Sequence, residues 1–307
     1  MKRIEIGHTG TYVSQLALGG FHQVEISADV IAEIVDTFLA AGGNYIETAR
    51  SYGHGASEIK LGRVLEGKRD QVVLASKSGA RTADDMKRDL EASLAALNTD
   101  HIDFYFFHGV NTMEDLDTIT APGGALEALL EARDQGMITG IGLSSHRPPE
   151  LYLEGIRRLP LSLILVWSNY LEEQWIPELH QQVFPAAHAA GVTVTSMKPL
   201  GDGFLYRSPI QAMRYALGSG GDVMVCGMNT VEHVQQAVQA LEMGPASTEE
   251  RAAILQNAPE LGSYVCRQCG ACSNKLMQLF RLEGYIDRQM IDYLPHDPAD
   301  YALRLRL

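Results

Sequence analysis

Four residues of complementary chemistry follow one another along the first third of the chain: Glu47, Tyr52, Lys77 and His108. Each stands at or just beyond the end of a short apolar run. Asn44-Tyr45-Ile46-Glu47 is followed by Tyr52, Val72-Val73-Leu74-Ala75-Ser76 by Lys77, and Ile102-Asp103-Phe104-Tyr105-Phe106-Phe107 by His108. A tyrosine hydroxyl, with an ordinary pKa of about 10, is a poor acid at neutral pH. An ammonium beside it stabilises the phenolate, and a carboxylate keeps that ammonium charged and oriented. A histidine at the next strand end can hydrogen-bond a carbonyl oxygen and fix its position. Together the four could protonate a carbonyl oxygen as hydride reaches its carbon. No side chain supplies the hydride, so this chemistry requires a nicotinamide cofactor. Taken singly, the tyrosine reads as packing and the lysine as a solvated charge; the argument lies in their succession at consecutive strand ends.

The elements that must position them alternate. Apolar runs predict strands over 15–19, 44–47, 72–76, 102–107, 139–143, 161–166, 192–196 and 223–226. Amphipathic stretches predict helices over about 28–41, 56–66, 83–97, 125–135, 149–157, 173–190, 209–217 and 231–241. Strands alternating with helices imply a parallel sheet. Eight such units suit an α/β fold of the (β/α)8 barrel type, in which function gathers at the C-terminal ends of the strands. The alternative, a doubly wound open sheet, announces its nucleotide site with Gly-x-Gly-x-x-Gly after the first strand. Here that turn reads Gly19-Gly20-Phe21-His22. The division expected is a barrel over 1–243 and a small C-terminal helical and cysteine-containing extension over 244–307. The extension opens on a helix that Ser247 caps, with Glu250 three residues on.

The chain has 307 residues, with 25 Lys and Arg against 38 Asp and Glu, a formal net charge of −13. So acidic a chain is a poor general binder of nucleic acid or of anionic membranes. The opening Met1-Lys2-Arg3-Ile4-Glu5-Ile6-Gly7 has no apolar core of a signal peptide, and no run has the roughly 18 apolar residues that span a bilayer. The expectation is a soluble cytoplasmic protein acting on a small molecule; the sequence does not specify its oligomeric state. Three of the four cysteines crowd together at Cys266, Cys269 and Cys272. Such crowding points to metal or redox chemistry, not a disulfide framework. Cys226 ends the eighth strand and reads as packed core.

The sequence resembles the aldo-keto reductases over roughly residues 1 to 242. The resemblance is carried by Gly7-His8-Thr9-Gly10 with Leu16-Ala17-Leu18-Gly19-Gly20, and by Glu47-Thr48-Ala49-Arg50-Ser51-Tyr52-Gly53 with Ser57-Glu58 and Leu61-Gly62. It continues in Ala75-Ser76-Lys77, Phe106-Phe107-His108, Gly142-Leu143-Ser144-Ser145-His146, Met197-Lys198-Pro199-Leu200-Gly201-Asp202-Gly203 and Cys226-Gly227-Met228-Asn229-Thr230-Val231-Glu232. It implies a tetrad: Tyr52 as general acid, Lys77 as its pKa partner, His108 orienting substrate, and Glu47 where the family has Asp. It implies NADPH or NADH across the barrel mouth, held by Gly20, Phe21, Ser144, Ser145, Met197, Lys198, Leu200, Gly227, Asn229 and Thr230. Ser144 and Ser145 would lie near the carboxamide, and the helix beginning near Thr230 would offer N–H groups to a phosphate.

The chain departs from the family's pattern at several points. Ser145 stands where Asn is usual, strand six lacks the common terminal Gln, and Gln235-Gln236-Ala237 replaces a Glu-Asn ending. No basic residue occupies the Asn229-Thr230 turn, which leaves NADPH against NADH open. Cys266-Arg267-Gln268-Cys269-Gly270-Ala271-Cys272 resembles the first part of a bacterial ferredoxin run, as in a subgroup of the family with a C-terminal extension. The fourth position is Leu276, followed by Met277. A [4Fe–4S] cluster, zinc and free thiols are the readings this segment allows. The leading function is interconversion of a carbonyl and an alcohol. The alternatives are a degenerate barrel that binds a nucleotide or partner, and an epimerase or lyase that oxidises transiently.

Overall fold

The computed structural model describes residues 1–257 apart from 147, 148, 171, 172, 174, 175, 202 and 204. An antiparallel hairpin comes first, β1 (Arg3–Glu5) against β2 (Tyr12–Ser14), with Ile4 opposite Val13. Eight parallel strands follow: β3 (Leu16–Gly19), β4 (Tyr45–Glu47), β5 (Val73–Ser78), β6 (Ile102–Phe107), β7 (Ile138–Ser144), β8 (Leu161–Trp167), β9 (Thr193–Met197) and β10 (Val223–Gly227). They close in that order, with β10 pairing back onto β3 so that Gly227 meets Gly19. The helices are α1 (Ala28–Ala40), α2 (Ala56–Val64), α3 (Ala83–Leu97), α4 (Met113–Thr120), α5 (Ala125–Asp134), α6 (Pro149–Arg158), α7 (Phe184–Ala189), α8 (Pro209–Leu217), α9 (Val231–Met243) and α10 (Thr248–Asn257). The fold is thus the expected (β/α)8 barrel.

Each strand alternates between two environments because successive side chains point to opposite faces. In β6, Phe104 and Phe106 fill the barrel interior with Tyr45, Ala75, Leu163 and Val225, while Tyr105 and Phe107 pack outward under the helices. The same period places Glu47 on the inward face two residues after Tyr45, and Lys77 two residues after Ala75. Chain order, period and closure together direct Glu47 and Lys77 into one barrel mouth.

Several helices start where a hydroxyl meets a free N–H. Ser27, Thr82, Thr112 and Thr230 accept from the N–H groups of Val30, Asp85, Asp115 and His233. Ser247 caps α10 as expected, accepting from Glu250 N at 3.2 Å while its own N–H donates to Glu250 Oε2 at 2.8 Å. Two elements were not expected. The β1–β2 hairpin closes the N-terminal end of the barrel, burying Ile6 and Val13 completely. Its strands are three residues each, too short for alternation to show. Helix α4 lies between the strand and helix expected over 102–107 and 125–135, and Thr112 and Asp115 form a reciprocal cap at its start. The helix expected over 173–190 enters α7 through a π turn, Leu179–Val183. Cys266, Cys269 and Cys272 lie outside the described residues.

Candidate active site

Lys77 is the centre of the site and is completely buried. Its ammonium lies 2.8 Å from Glu47 Oε2 and donates to Thr48 O at 2.8 Å and to Tyr52 Oη at 3.4 Å. The Glu47 contact is an ion pair without an aligned hydrogen bond at Oε2. Burial disfavours the Lys77 charge, but Glu47 and Tyr52 outweigh it and hold its pKa above the ordinary value. Burial likewise dominates at Tyr52. Its pKa is raised above 10 because desolvation, with the Glu47 charge, exceeds what Lys77 takes back. Lys77 acts in the expected direction and lowers the Tyr52 pKa, and burial outweighs it.

His108 follows β6 and meets Tyr52 edge to face, with ring centroids 5.7 Å apart. Burial, helped by the Lys77, His146 and Arg81 charges, pushes its pKa down to about 3, so the ring is neutral at pH 7. Its Nδ1 lies 3.3 Å from Ser51 Oγ. If Ser51 donates, the ring is the Nε2–H tautomer, with a donor left for a ligand. Ser51 did not stand out in the sequence, because a serine one residue before a tyrosine carries no pattern.

Two cations that sequence reasoning missed hold the loops around this centre. Arg81 donates to Gly79 O, His108 O and Gly109 O at 3.0, 3.1 and 2.9 Å, and its Nε reaches Asp115 Oδ1 at 3.0 Å. Asp115 in turn accepts from Asn111 N and Thr112 N at 3.0 and 3.2 Å. The loops after β5 and β6 are thereby tied together at the backbone of His108. Lys60, on α2, donates to Gln23 O, Val24 O and Ile26 O at 3.3, 2.8 and 2.8 Å. That ties down the 3-10 turn Phe21–Glu25, whose Phe21 ring packs edge to face on Tyr52 at 5.1 Å. Both lysine and arginine look like surface charges in a sequence; only long-range carbonyl contacts identify them.

A cavity of about 840 Å³ opens at the C-terminal ends of the strands. Glu47, Tyr52 and His108 line it, whereas Lys77 lies beneath them. Of the residues expected at a cofactor, Phe21, Ser144, Met197, Lys198, Leu200, Gly227 and Asn229 line the cavity. Gly20, Ser145 and Thr230 do not line it and act as supports. A Cβ at Gly20 would come within 2.7 Å of Glu47 O, and Gly20 N donates to that same oxygen at 2.7 Å. Ser145 N donates to Tyr152 Oη, and Thr230 spends its hydroxyl on capping α9. His22 and His146 line the cavity; Trp167 sits behind His146, its ring 5.1 Å away, with Lys198 Nζ 4.8 Å from the Trp167 centroid. Tyr170 faces away, onto Tyr215. Cys226 is buried core as expected, its thiol pushed up to about 12 by burial, although it also touches the cavity wall. His188 pairs with Asp222 on the outer surface. Among the described residues no group of three metal-ligating side chains converges, and no helix is long and apolar enough to cross a membrane.

Comparison with known proteins agrees with this fold. The aldo/keto reductase family matches residues 15–211. The chain is 22% identical over 280 residues to an uncharacterized oxidoreductase, YqkF, of Bacillus subtilis, covering 86% of each chain. It superposes on the holo form of the aldo-keto reductase AKR11C1 from Bacillus halodurans with a TM-score of 0.71 and 26% identity, over 85% of this chain and 97% of that one. The fold is also that of an aldo-keto reductase from Klebsiella pneumoniae in complex with NADPH, at a TM-score of 0.70 and 22% identity, over 85% and 96% of the two chains. The chain belongs to the aldo/keto reductase family of NAD(P)-dependent oxidoreductases.

Proposed function

We propose that this protein reduces a carbonyl to an alcohol, and runs the reverse oxidation, with Tyr52 as the proton donor and acceptor. The observation that carries the reading is the Tyr52–Lys77–Glu47 chain beneath a large cavity, with a neutral His108 on the same wall. The donor set fits a nicotinamide dinucleotide. Ser144 would offer a hydroxyl to the carboxamide, and Glu232 and His233 of the first turn of α9 line the end of the cavity where Gly227 and Asn229 lie. When bound, the reduced nicotinamide supplies the hydride.

The chain's own residues do the rest. His108 donates from Nε2 to the carbonyl oxygen and sets its position over Tyr52. Tyr52 gives its proton to that oxygen as negative charge develops there. Lys77 stabilises the resulting phenolate from 3.4 Å, and the buried Glu47 carboxylate keeps the buried ammonium charged. The intact Tyr52–Lys77 contact favours this reading over a barrel that only binds nucleotide. Tyr52→Phe tests it: nucleotide binding is retained, while turnover of an aldehyde panel falls by about 10²–10⁴-fold, the range general acid catalysis supplies. Unchanged turnover in that variant would remove Tyr52 from the reaction. The roles of the three clustered cysteines rest on sequence alone. Iron content and visible absorption of protein purified without oxygen decide between a [4Fe–4S] cluster and free thiols at Cys266, Cys269 and Cys272.

A further inference from the structure

We propose that this chain selects NADH over NADPH, and that Glu232 is the residue that reads the adenosine ribose. The inference rests on the reductase reading above, which places the nicotinamide beside Tyr52 and His108. β10 lies across the closed ring from β6, so the cavity's far end is the turn from β10 into α9. There its wall is Gly227, Asn229, Glu232, His233 and Gln236, with His22 and Glu25 facing them from the turn after β3. The His22 ring lies against Gly227, where a Cβ would come within 2.6 Å of Cδ2. Gln236 Nε2 donates to Glu232 Oε1 at 3.2 Å and so orients that carboxylate.

Two carboxylates, Glu25 and Glu232, line this end. The His22 ring, its Nδ1 3.7 Å from Glu25 Oε1, keeps the Glu25 carboxyl below its usual range against the effect of burial. Burial lowers the His233 pKa despite the neighbouring Glu232 carboxylate. Among the described residues that line the cavity, Lys198 is the one Lys or Arg, and its ammonium is turned over Trp167 at the end of β8. A 2′-phosphate carries close to two negative charges and calls for a guanidinium or ammonium. A ribose diol offers O–H donors, for which a carboxylate is the matching acceptor. Glu232 and Glu25 therefore accept from the diol of NADH and repel the phosphate of NADPH.

Titration of NADH and NADPH by nicotinamide fluorescence, at one ionic strength, tests this without any substrate. The wild-type protein is expected to bind NADH at least about tenfold more tightly, since like charges placed together at a binding site cost several kcal/mol. Glu232→Gln is expected to narrow the ratio and Glu232→Arg to close or reverse it. NADPH binding as tight as NADH overturns the selection but leaves the reductase reading intact. An unchanged ratio in Glu232→Arg, with a native circular dichroism spectrum, overturns the role of Glu232. Binding of neither nucleotide overturns both readings together.

Discussion

Removing the charge of Glu47 should destabilise the protein as well as slow it. Lys77 has no exposed surface, and the Glu47 side chain is 6% exposed. Two unit charges 2.8 Å apart attract by about 6 kcal/mol at an effective dielectric constant of about 20, a gross figure offset by the cost of desolvating both. Deleting one partner forfeits the attraction and keeps the other's desolvation, which in buried pairs amounts to about 3–5 kcal/mol. Thr48 O remains on the ammonium, so Glu47→Gln should sit toward the lower end, about 3 kcal/mol. Burial would then dominate at Lys77 and carry its pKa down, leaving less charge to stabilise the Tyr52 phenolate. The assay is urea unfolding of the wild type, Glu47→Gln, Lys77→Met and the double variant. The double variant should be more stable than the sum of the singles predicts, because neither charge is left alone. A loss below about 1 kcal/mol in Glu47→Gln, the value of an exposed pair, would refute the picture of a buried ion pair.

Three further outcomes follow from the same geometry. Because His108 titrates only near 3, the rate of carbonyl reduction should show no inflection near pH 6.5, and an inflection there would mean a charged imidazole takes part. The unfolded chain binds that proton near 6.5 and the native one does not, so stability should fall as pH drops from 6.5 toward 3, by at most about 1.4 kcal/mol per unit for this group. Arg81→Met frees the loops around His108, and should lower kcat/KM by about tenfold while nucleotide affinity stays nearly constant; loss of both together would assign Arg81 to folding alone.

The Glu47 carboxylate reaches the Lys77 ammonium at 2.8 Å, and its Oε2 has no aligned donor. Glu47→Asp shortens the arm, and Thr48 O and Tyr52 Oη would continue to hold Lys77. The site is thus built around the lysine, with the acid as the adjustable partner.

The barrel was legible because its signals are local and repeated. Runs such as Ile102–Phe107 are apolar on both faces, as strands between a filled interior and a layer of helices must be. The period of two then carries Glu47 and Lys77 to one mouth once the sheet is known to close. Tyr52, Lys77 and His108 could be named from the sequence because their residue types form one chemical unit in order. What sequence left open depends on contacts between segments far apart in the chain. Arg81 and Lys60 acquire their roles from carbonyls 27 and 37 residues away, and no local pattern encodes such a contact. Gly20, Ser145 and Thr230, expected at a cofactor, are not in the cavity wall, since whether a side chain lines a space depends on its neighbours' volumes. The sign of the Tyr52 shift was likewise decided by tertiary structure: residue types supply the attraction of Lys77, but only packing sets the larger cost of burying the phenolate.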